Sequence, residues 1–226
     1  MRLEKIVPIT GVIELLTGLH IGAGSETTQI GGVDNPIIRS PKDGNPYIPG
    51  SSLKGRMRAL LELYLDKLDS NGNIHRYNED SCKDNYCPIC YLFGAPANTE
   101  APIGPGRLIV RDCMIDESLE PNLKIKQESP GLPYTEEKTE ISINRITSDV
   151  GGSLRKTERV PAGVKFRLDI SLRKFEGDPD SLLKNLLVGL ALLQKDALGG
   201  SGSRGYGKIK ITDLKVDDEE ITLPEV

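Results

Sequence analysis

Residues Leu198–Ile211 read LGGSGSRGYGKIKI, and two phosphate-loop patterns overlap in them. Gly200-x-Gly202-x-x-Gly205 fits the dinucleotide pattern, and Gly202 to Gly207-Lys208 fits a Walker A loop up to its last position. The neighbours decide between these readings and the alternatives. Both nucleotide loops leave a strand and enter a helix, whose N-terminus faces the phosphates. Here the order is reversed. Upstream, Leu182, Leu183, Leu186, Leu187, Leu190 and Leu193 recur at helical spacing. Asp178 is the expected N-cap of that helix, Pro179 lies in its first turn, and Gly199 is its expected stop. Downstream, GKIKITDLKV reads as a strand, and Ile209 stands where a Walker A loop needs a Mg²⁺-binding hydroxyl. The stretch is therefore a helix-to-strand connection and no nucleotide loop. Its glycines suit close approach of another chain, and their N–H groups suit an anion nest. Arg204 and Lys208 add positive charge. These features fit a polyanion lying across the loop.

Outward from this connection, Val164–Arg173 alternates strictly between apolar and polar residues, as in a half-buried antiparallel strand. Residues 5–16, KIVPITGVIELL, and the run GRLIVRDCMI read as further strands. A helix is predicted over Ser51–Leu68 from Leu53, Met57, Leu60, Leu61, Tyr64 and Leu68, with Ser51 or Ser52 as its cap. Lys54, Arg56 and Arg58 crowd its first two turns, where positive charge opposes the macrodipole and an anion would relieve the conflict. A polar, Gly-rich stretch from Gly18 to Gly50 is too long for a simple turn and reads as a functional loop. The segment EPNLKIKQESPGLPYTEEKTEISI reads as a protruding hairpin. The order strand, helix, strand, hairpin, strand, helix, strand predicts an α+β fold. It matches a ferredoxin-like, RRM-like β-α-β-β-α-β core carrying insertions.

The chain has 226 residues, which suits one domain, and its formal net charge of −4 does not announce a nucleic-acid binder. Base gathers locally, in SSLKGRMR, RKTER and GSRGYGKIK, each beside Gly or Ser. No apolar run approaches the roughly 18 residues of a membrane span, and the first residues lack a signal-peptide core. A cytoplasmic protein without membrane association is expected.

His75, Cys82, Cys87 and Cys90 lie within sixteen residues, and Cys87-Pro88-Ile89-Cys90 has zinc-knuckle spacing. Together they can surround one Zn²⁺ tetrahedrally with no open position, which makes the expected site structural rather than catalytic. Cys113 lies in a strand run and reads as a buried small hydrophobe.

The glycine loop ending in Gly205-Tyr206-Gly207, together with YIPGSSLKGRMR, LFG followed by GRLIVRD, and RKTERVPAGVKF, resembles the RAMP superfamily of CRISPR-associated proteins. Within it, the resemblance is to the backbone-forming subunits of type III-A (Csm) interference complexes, and it runs through nearly the whole chain. It implies a single domain, 1–226, with a zinc-binding insertion at 70–95 and a thumb hairpin at 119–140. It further implies copies stacked head to tail along a CRISPR RNA as a filament, beside other Csm subunits, with target RNA cut at regular intervals. The catalytic position that matches is Asp34, holding a divalent ion such as Mg²⁺ or orienting the RNA 2′-hydroxyl. Cleavage would leave a 2′,3′-cyclic phosphate and a 5′-hydroxyl. The RNA-contacting residues expected from the matching motifs and their surroundings are His20, Arg39, Ser51, Ser52, Lys54, Arg56, Arg145, Arg155, Gly200, Arg204 and Lys208. A non-cleaving RNA scaffold is the competing reading. The SDVGGSLRKTERV approach to Val-Pro-Ala-Gly departs from the family pattern, which bears on Arg155.

Overall fold

The structure is a computed structural model and describes residues 1–24, 34–68, 71–78, 82, 86–96, 103–116, 118 and 133–226. Strand β1 (Leu3–Leu15) is followed by helices α1 (Gly50–Tyr64) and α2 (Pro88–Phe93) and by the short strand β2 (Leu108–Val110). Strands β3 (Glu136–Ile143) and β4 (Val150–Arg159) precede β5 (Lys165–Phe175). Helix α3 (Ser181–Lys195), β6 (Ile209–Val216) and β7 (Glu219–Glu220) complete the order. The main sheet runs β2-β5-β1-β6-β7, and every pairing in it is antiparallel. Strands β3 and β4 form a separate two-stranded sheet.

The alternation in β5 sets the core. Phe166, Leu168, Ile170 and Leu172 are buried, and Arg167 is exposed between them. Ser171 is buried out of turn because Arg111, at the end of β2, reaches over the edge and donates to its Oγ at 2.9 Å. Leu53, Met57 and Leu61 of α1 and Leu182, Leu186, Leu190 and Leu193 of α3 join the same core. Burial of such side chains contributes about 1.5–3 kcal/mol each.

Three local expectations are corrected. Neither Ser51 nor Ser52 caps α1. The helix starts at Gly50 after Pro49, and the Asp112 carboxylate accepts the Gly50 N–H at 2.8 Å. The anion at this positive helix end is thus a protein side chain. Nor does Asp178 cap α3, which begins at Ser181. Asp178 instead accepts from Arg107 Nε and Nη2 at 3.0 and 2.7 Å, both side chains being 3% exposed. Finally, α3 ends at Lys195, before Gly199.

The described hairpin runs from Glu136 to Arg159, and residues 119–132 of the expected thumb insertion lie outside the described residues. Its turn is closed by Asn144, whose N–H donates to Asp149 O and whose Oδ1 accepts the Ile146 N–H, each at 2.9 Å. The stretch that departs from the family pattern supplies its second strand. Toward the tip, Ile141, Ile143, Ile146, Val150 and Leu154 are all exposed.

Candidate nucleic-acid interface and metal centre

The glycine loop returns the chain from α3 to β6 against the segment that follows β1. Gly207 sits at φ +72°, and a Cβ there would lie 1.9 Å from Leu198 O. Gly199 sits at φ +76°, with His20 O only 2.4 Å from its Cβ position. L-residues are disfavoured by both conformation and space. Gly200 N–H donates to His20 O and Gly207 N–H to Gly18 O, each at 2.9 Å. At these positions the close approach expected for another chain is made by the protein's own backbone, and two of the N–H groups expected in a nest are used inside the fold. The exposed residues of the loop are Gly199, Gly200 and Gly202–Gly205.

Around this loop the fold gathers cations that lie far apart in sequence. Arg56 of α1 donates to Ala197 O at 3.0 Å and pairs with Asp196 at 2.5 Å. Lys208 Nζ donates to Lys195 O at 2.9 Å. Both charges thus stand at the negative C-terminal end of α3. Arg204 pairs with Glu140 of β3 at 2.7 Å and donates to Ser201 Oγ at 3.0 Å. His20 borders the same loop. Its Nδ1 lies 2.7 Å from Glu158 O, and because a carbonyl only accepts, Nδ1 donates in this bond.

Other expected RNA contacts lie elsewhere or are committed. Lys54 turns toward β2, donating to Leu108 O at 3.3 Å. Burial lowers its pKa, and the neighbouring Arg58 and Arg173 charges lower it further. Arg39 is a structural clamp and not a free cation. Its Nη1 donates to Gly44 O and Pro133 O at 2.9 and 3.1 Å, and its Nη2 donates to Thr135 Oγ1 and to Glu158 Oε1. These bonds account for all four terminal N–H groups in the folded chain. Arg145, in the hairpin turn, and Arg155, on β4, are exposed.

Asp34 is exposed and lies against the root of the hairpin. Its Oδ2 accepts the Lys156 N–H at 3.0 Å. The next residues continue the attachment. Asn35 N–H donates to Lys156 O at 3.4 Å, and Glu158 N–H donates to Asn35 O at 3.0 Å. Ile37 N–H donates to Glu158 Oε2 at 2.8 Å. Glu158, buried and 4% exposed, therefore ties His20, the Asp34 segment and Arg39 to β4. Sequence reasoning missed it. The signal was available: Glu158 and Val160 share the inward-facing parity at the end of β4, and an acid there needs a buried partner.

The metal centre assembles as its spacing predicts. His75, Cys82, Cys87 and Cys90 are all buried, and their ligand atoms lie within 4.8 Å of one another. His75 Nε2 is 3.3 Å from both Cys82 Sγ and Cys87 Sγ, and Cys82 and Cys90 sulfurs are 3.9 Å apart. Tetrahedral Zn²⁺ with bonds of about 2.3 Å to sulfur demands edges of about 3.8 Å. The donor set therefore fits a metal of this kind. His75 Nδ1 donates to Lys67 O at 3.0 Å, which leaves Nε2 its lone pair for the metal. A hydrogen bond from Cys90 pulls the Cys87 thiol down to about 5, and the same contact pushes Cys90 up. Glu62 of α1 accepts the His75 N–H at 3.3 Å and pairs with Arg58 at 2.7 Å, while Arg58 Nη2 donates to His75 O at 2.9 Å. The knuckle is thereby fastened to α1. Among the described residues this is the one cluster of metal-ligating groups, and Asp34 is not part of it. Asp34 alone is no cage for a divalent ion.

The profile of the RAMP superfamily matches residues 12–210. The CRISPR system Cms endoribonuclease Csm3 of Methanothermobacter thermautotrophicus is 42% identical over 98% of this chain and 89% of its own. The protein of the same name from Methanocaldococcus jannaschii is 41% identical over 96% of this chain and 82% of its own. A crystal structure of a Csm3–Csm4 subcomplex of the type III-A CRISPR-Cas interference complex superposes with a TM-score of 0.59. That match is at 32% identity and covers 96% of this chain and 80% of the other. A chain of the type III-B Cmr-beta complex bound to cognate target RNA superposes with a TM-score of 0.61 at 17% identity, over 94% of this chain and 61% of that one, a likeness of fold alone.

Proposed function

Because this chain belongs to the RAMP superfamily, we propose that it is a CRISPR RNA-binding backbone subunit of a type III-A effector complex and an endoribonuclease that cuts guide-paired target RNA. The observation that carries the proposal is the attachment of Asp34 to the root of the hairpin, through Lys156 N–H and the Asn35–Glu158 bonds. A carboxylate fixed beside a protruding arm would meet RNA wherever the arm meets it. Copies stacked head to tail form an open array, and one Asp34 per copy would give cuts at regular intervals.

RNA carries its own nucleophile. The 2′-oxygen forms a bond to the adjacent phosphorus, the bond from phosphorus to the 5′-oxygen breaks, and that oxygen takes up a proton. The products are a 2′,3′-cyclic phosphate and a 5′-hydroxyl. Asp34 Oδ2 is anchored, so Oδ1 is the atom available to accept from the 2′-hydroxyl and align it for in-line attack. A divalent ion such as Mg²⁺, held mainly by RNA phosphate oxygens and water, would supply charge stabilisation on the phosphate. His75, Cys82, Cys87 and Cys90 would hold Zn²⁺, which would cross-link the 70–95 insertion within itself, while Glu62 and Arg58 fasten it to α1, and would take no part in cleavage.

Guide RNA would follow the cations around the glycine loop, Arg56, Arg204 and Lys208, with His20 and Gly200 beside them, then Ser51, Ser52 and Lys54 in the first turns of α1, and Arg145 and Arg155 along the hairpin. Such contacts read phosphates and 2′-hydroxyls, not sequence. The strand order β6-β1-β5-β2, with α1 and α3 as the connecting helices, supports a single ferredoxin-like domain over 1–226, with the thumb insertion at 119–140. The cytoplasm, where CRISPR RNA and its other Csm partners would meet it, is the proposed compartment.

The test is cleavage of a guide-complementary RNA by the reconstituted complex. Asp34→Ala should abolish cutting and preserve assembly and RNA binding. If that variant cuts like wild type, the carboxylate is not catalytic. If neither protein cuts, the subunit is a non-cleaving scaffold.

A further inference from the structure

Two arginines that face the glycine loop are held by carboxylates: Arg56 by Asp196 and Arg204 by Glu140. The second pair joins parts of the molecule that differ in kind. Arg204 belongs to the exposed turn of the glycine loop, and Glu140 belongs to the hairpin. Along β3, Glu140 is the outermost residue that touches the body. Nearer the root, Glu136 pairs with Arg159 at 2.5 Å, and Lys138 lies over the Tyr206 ring at 4.6 Å. Beyond it, every β3 residue from Ile141 to Ile143 is exposed.

The charges around Glu140 are unbalanced. Arg204 binds its Oε2, Lys138 Nζ lies 3.6 Å from its Oε1, and Tyr206 OH donates to the same oxygen at 3.4 Å. Arg155 stands directly opposite Glu140 in the β3–β4 register, so its exposed side chain leaves the same face of the hairpin. Two cations, Arg204 and Lys138, therefore share one carboxylate, and a third, Arg155, stands on the same face of the hairpin, at the edge of a loop that presents Gly202–Gly205 to solvent. A phosphodiester offers the same planar pair of acceptor oxygens to an arginine fork, with the added attraction of Arg155.

We propose that Glu140 is an internal stand-in for an RNA backbone phosphate: without RNA it holds Arg204 and clasps the hairpin to the glycine loop, and RNA displaces it, releasing the outer hairpin as the backbone is bound. The proposal rests on the RNA-binding reading above. It makes hairpin position depend on loop occupancy, because a phosphate drawn to Arg204 would repel the Glu140 carboxylate beside it. The ion pair is partly solvated, Arg204 being 57% and Glu140 24% exposed, so the competition it offers is modest. Displacing a pair of this kind should weaken RNA binding by about two- to five-fold.

The test uses the full chain and a fluorescently labelled single-stranded RNA. Affinity is measured for wild type, Glu140→Gln and Glu137→Gln. The last removes one negative charge from the same strand without touching Arg204, Glu137 being the partner of Lys156. Glu140→Gln should bind RNA about two- to five-fold more tightly than Glu137→Gln. Amide exchange supplies a second readout. The β3 amides around Glu140 should exchange faster in RNA-bound wild type than in free wild type, and free Glu140→Gln should already show the faster rate. Equal affinity of the two variants, or β3 exchange that slows on RNA binding, overturns the stand-in. Failure of wild type itself to bind RNA overturns the RNA-binding reading and the stand-in with it, a result distinguishable because all three proteins would then be silent.

Discussion

Arg39→Ala separates a structural clamp from an RNA contact. In the folded chain the Arg39–Glu158 pair is 2.7 Å long, and the side chains are 15% and 5% exposed. Truncating the arginine leaves a buried carboxylate with its Ile37 N–H bond but without its cation, and frees Gly44 O, Pro133 O and Thr135 Oγ1 of their donor. Removing one partner of a buried pair costs about 3–5 kcal/mol. A chain of 226 residues unfolds with an entropy of about 0.5 kcal/mol/K, so the melting temperature should fall by about 6–10 °C. Thermal denaturation by circular dichroism reads this directly. The second measurement is RNA affinity against salt. Each phosphate contact to a single strand adds about 0.7 to the slope of log K on log salt. Arg39→Ala should leave that slope unchanged, whereas Arg204→Ala should lower it by about 0.7. A variant that melts like wild type and loses salt dependence would show that Arg39 binds the guide and that the clamp has been misjudged.

Two further outcomes are expected. Asp178→Asn removes the counter-charge of buried Arg107 and should cost about 3–5 kcal/mol at neutral pH, measured by urea denaturation. Burial by itself would raise the Asp178 carboxyl, but the Arg107 hydrogen bonds and the Phe175 N–H outweigh it and hold it below the ordinary carboxylate range. A depressed folded pKa stabilises fully above the unfolded value and is lost as pH falls through the folded one. The gap between wild type and Asp178→Asn should therefore stay constant from pH 7 to about 5 and narrow only below about pH 4. At the knuckle, wild type should carry one equivalent of zinc by metal analysis, and Cys90→Ser should lose it and melt earlier. Retained zinc with unchanged melting in that variant would refute the four-ligand site.

How much was legible beforehand depended on the range of the interaction. The strand β5, the helices α1 and α3 and the metal quartet follow from local pattern. Alternation of Phe166, Leu168, Ile170 and Leu172 fixes a buried face, and the spacing of His75, Cys82, Cys87 and Cys90 brings four donors within reach of one ion, because both constraints act over a few residues. The helix-to-strand order around Leu198–Ile211 likewise excluded a nucleotide loop by sequence alone. The fate of each charge was not legible. Asp178 looks like a helix cap until Arg107, seventy-one positions away, is seen to hold it. Arg39 looks like an RNA contact until Glu158, 119 positions on, occupies it. The loop glycines look like space for a foreign backbone until His20 and Leu198 fill it. Hydrophobic periodicity is written along the chain, so the sequence determines which faces are buried. A charge takes whichever partner three-dimensional proximity supplies, so only the tertiary structure decides which cations remain for RNA and which are already held by the protein's own carboxylates.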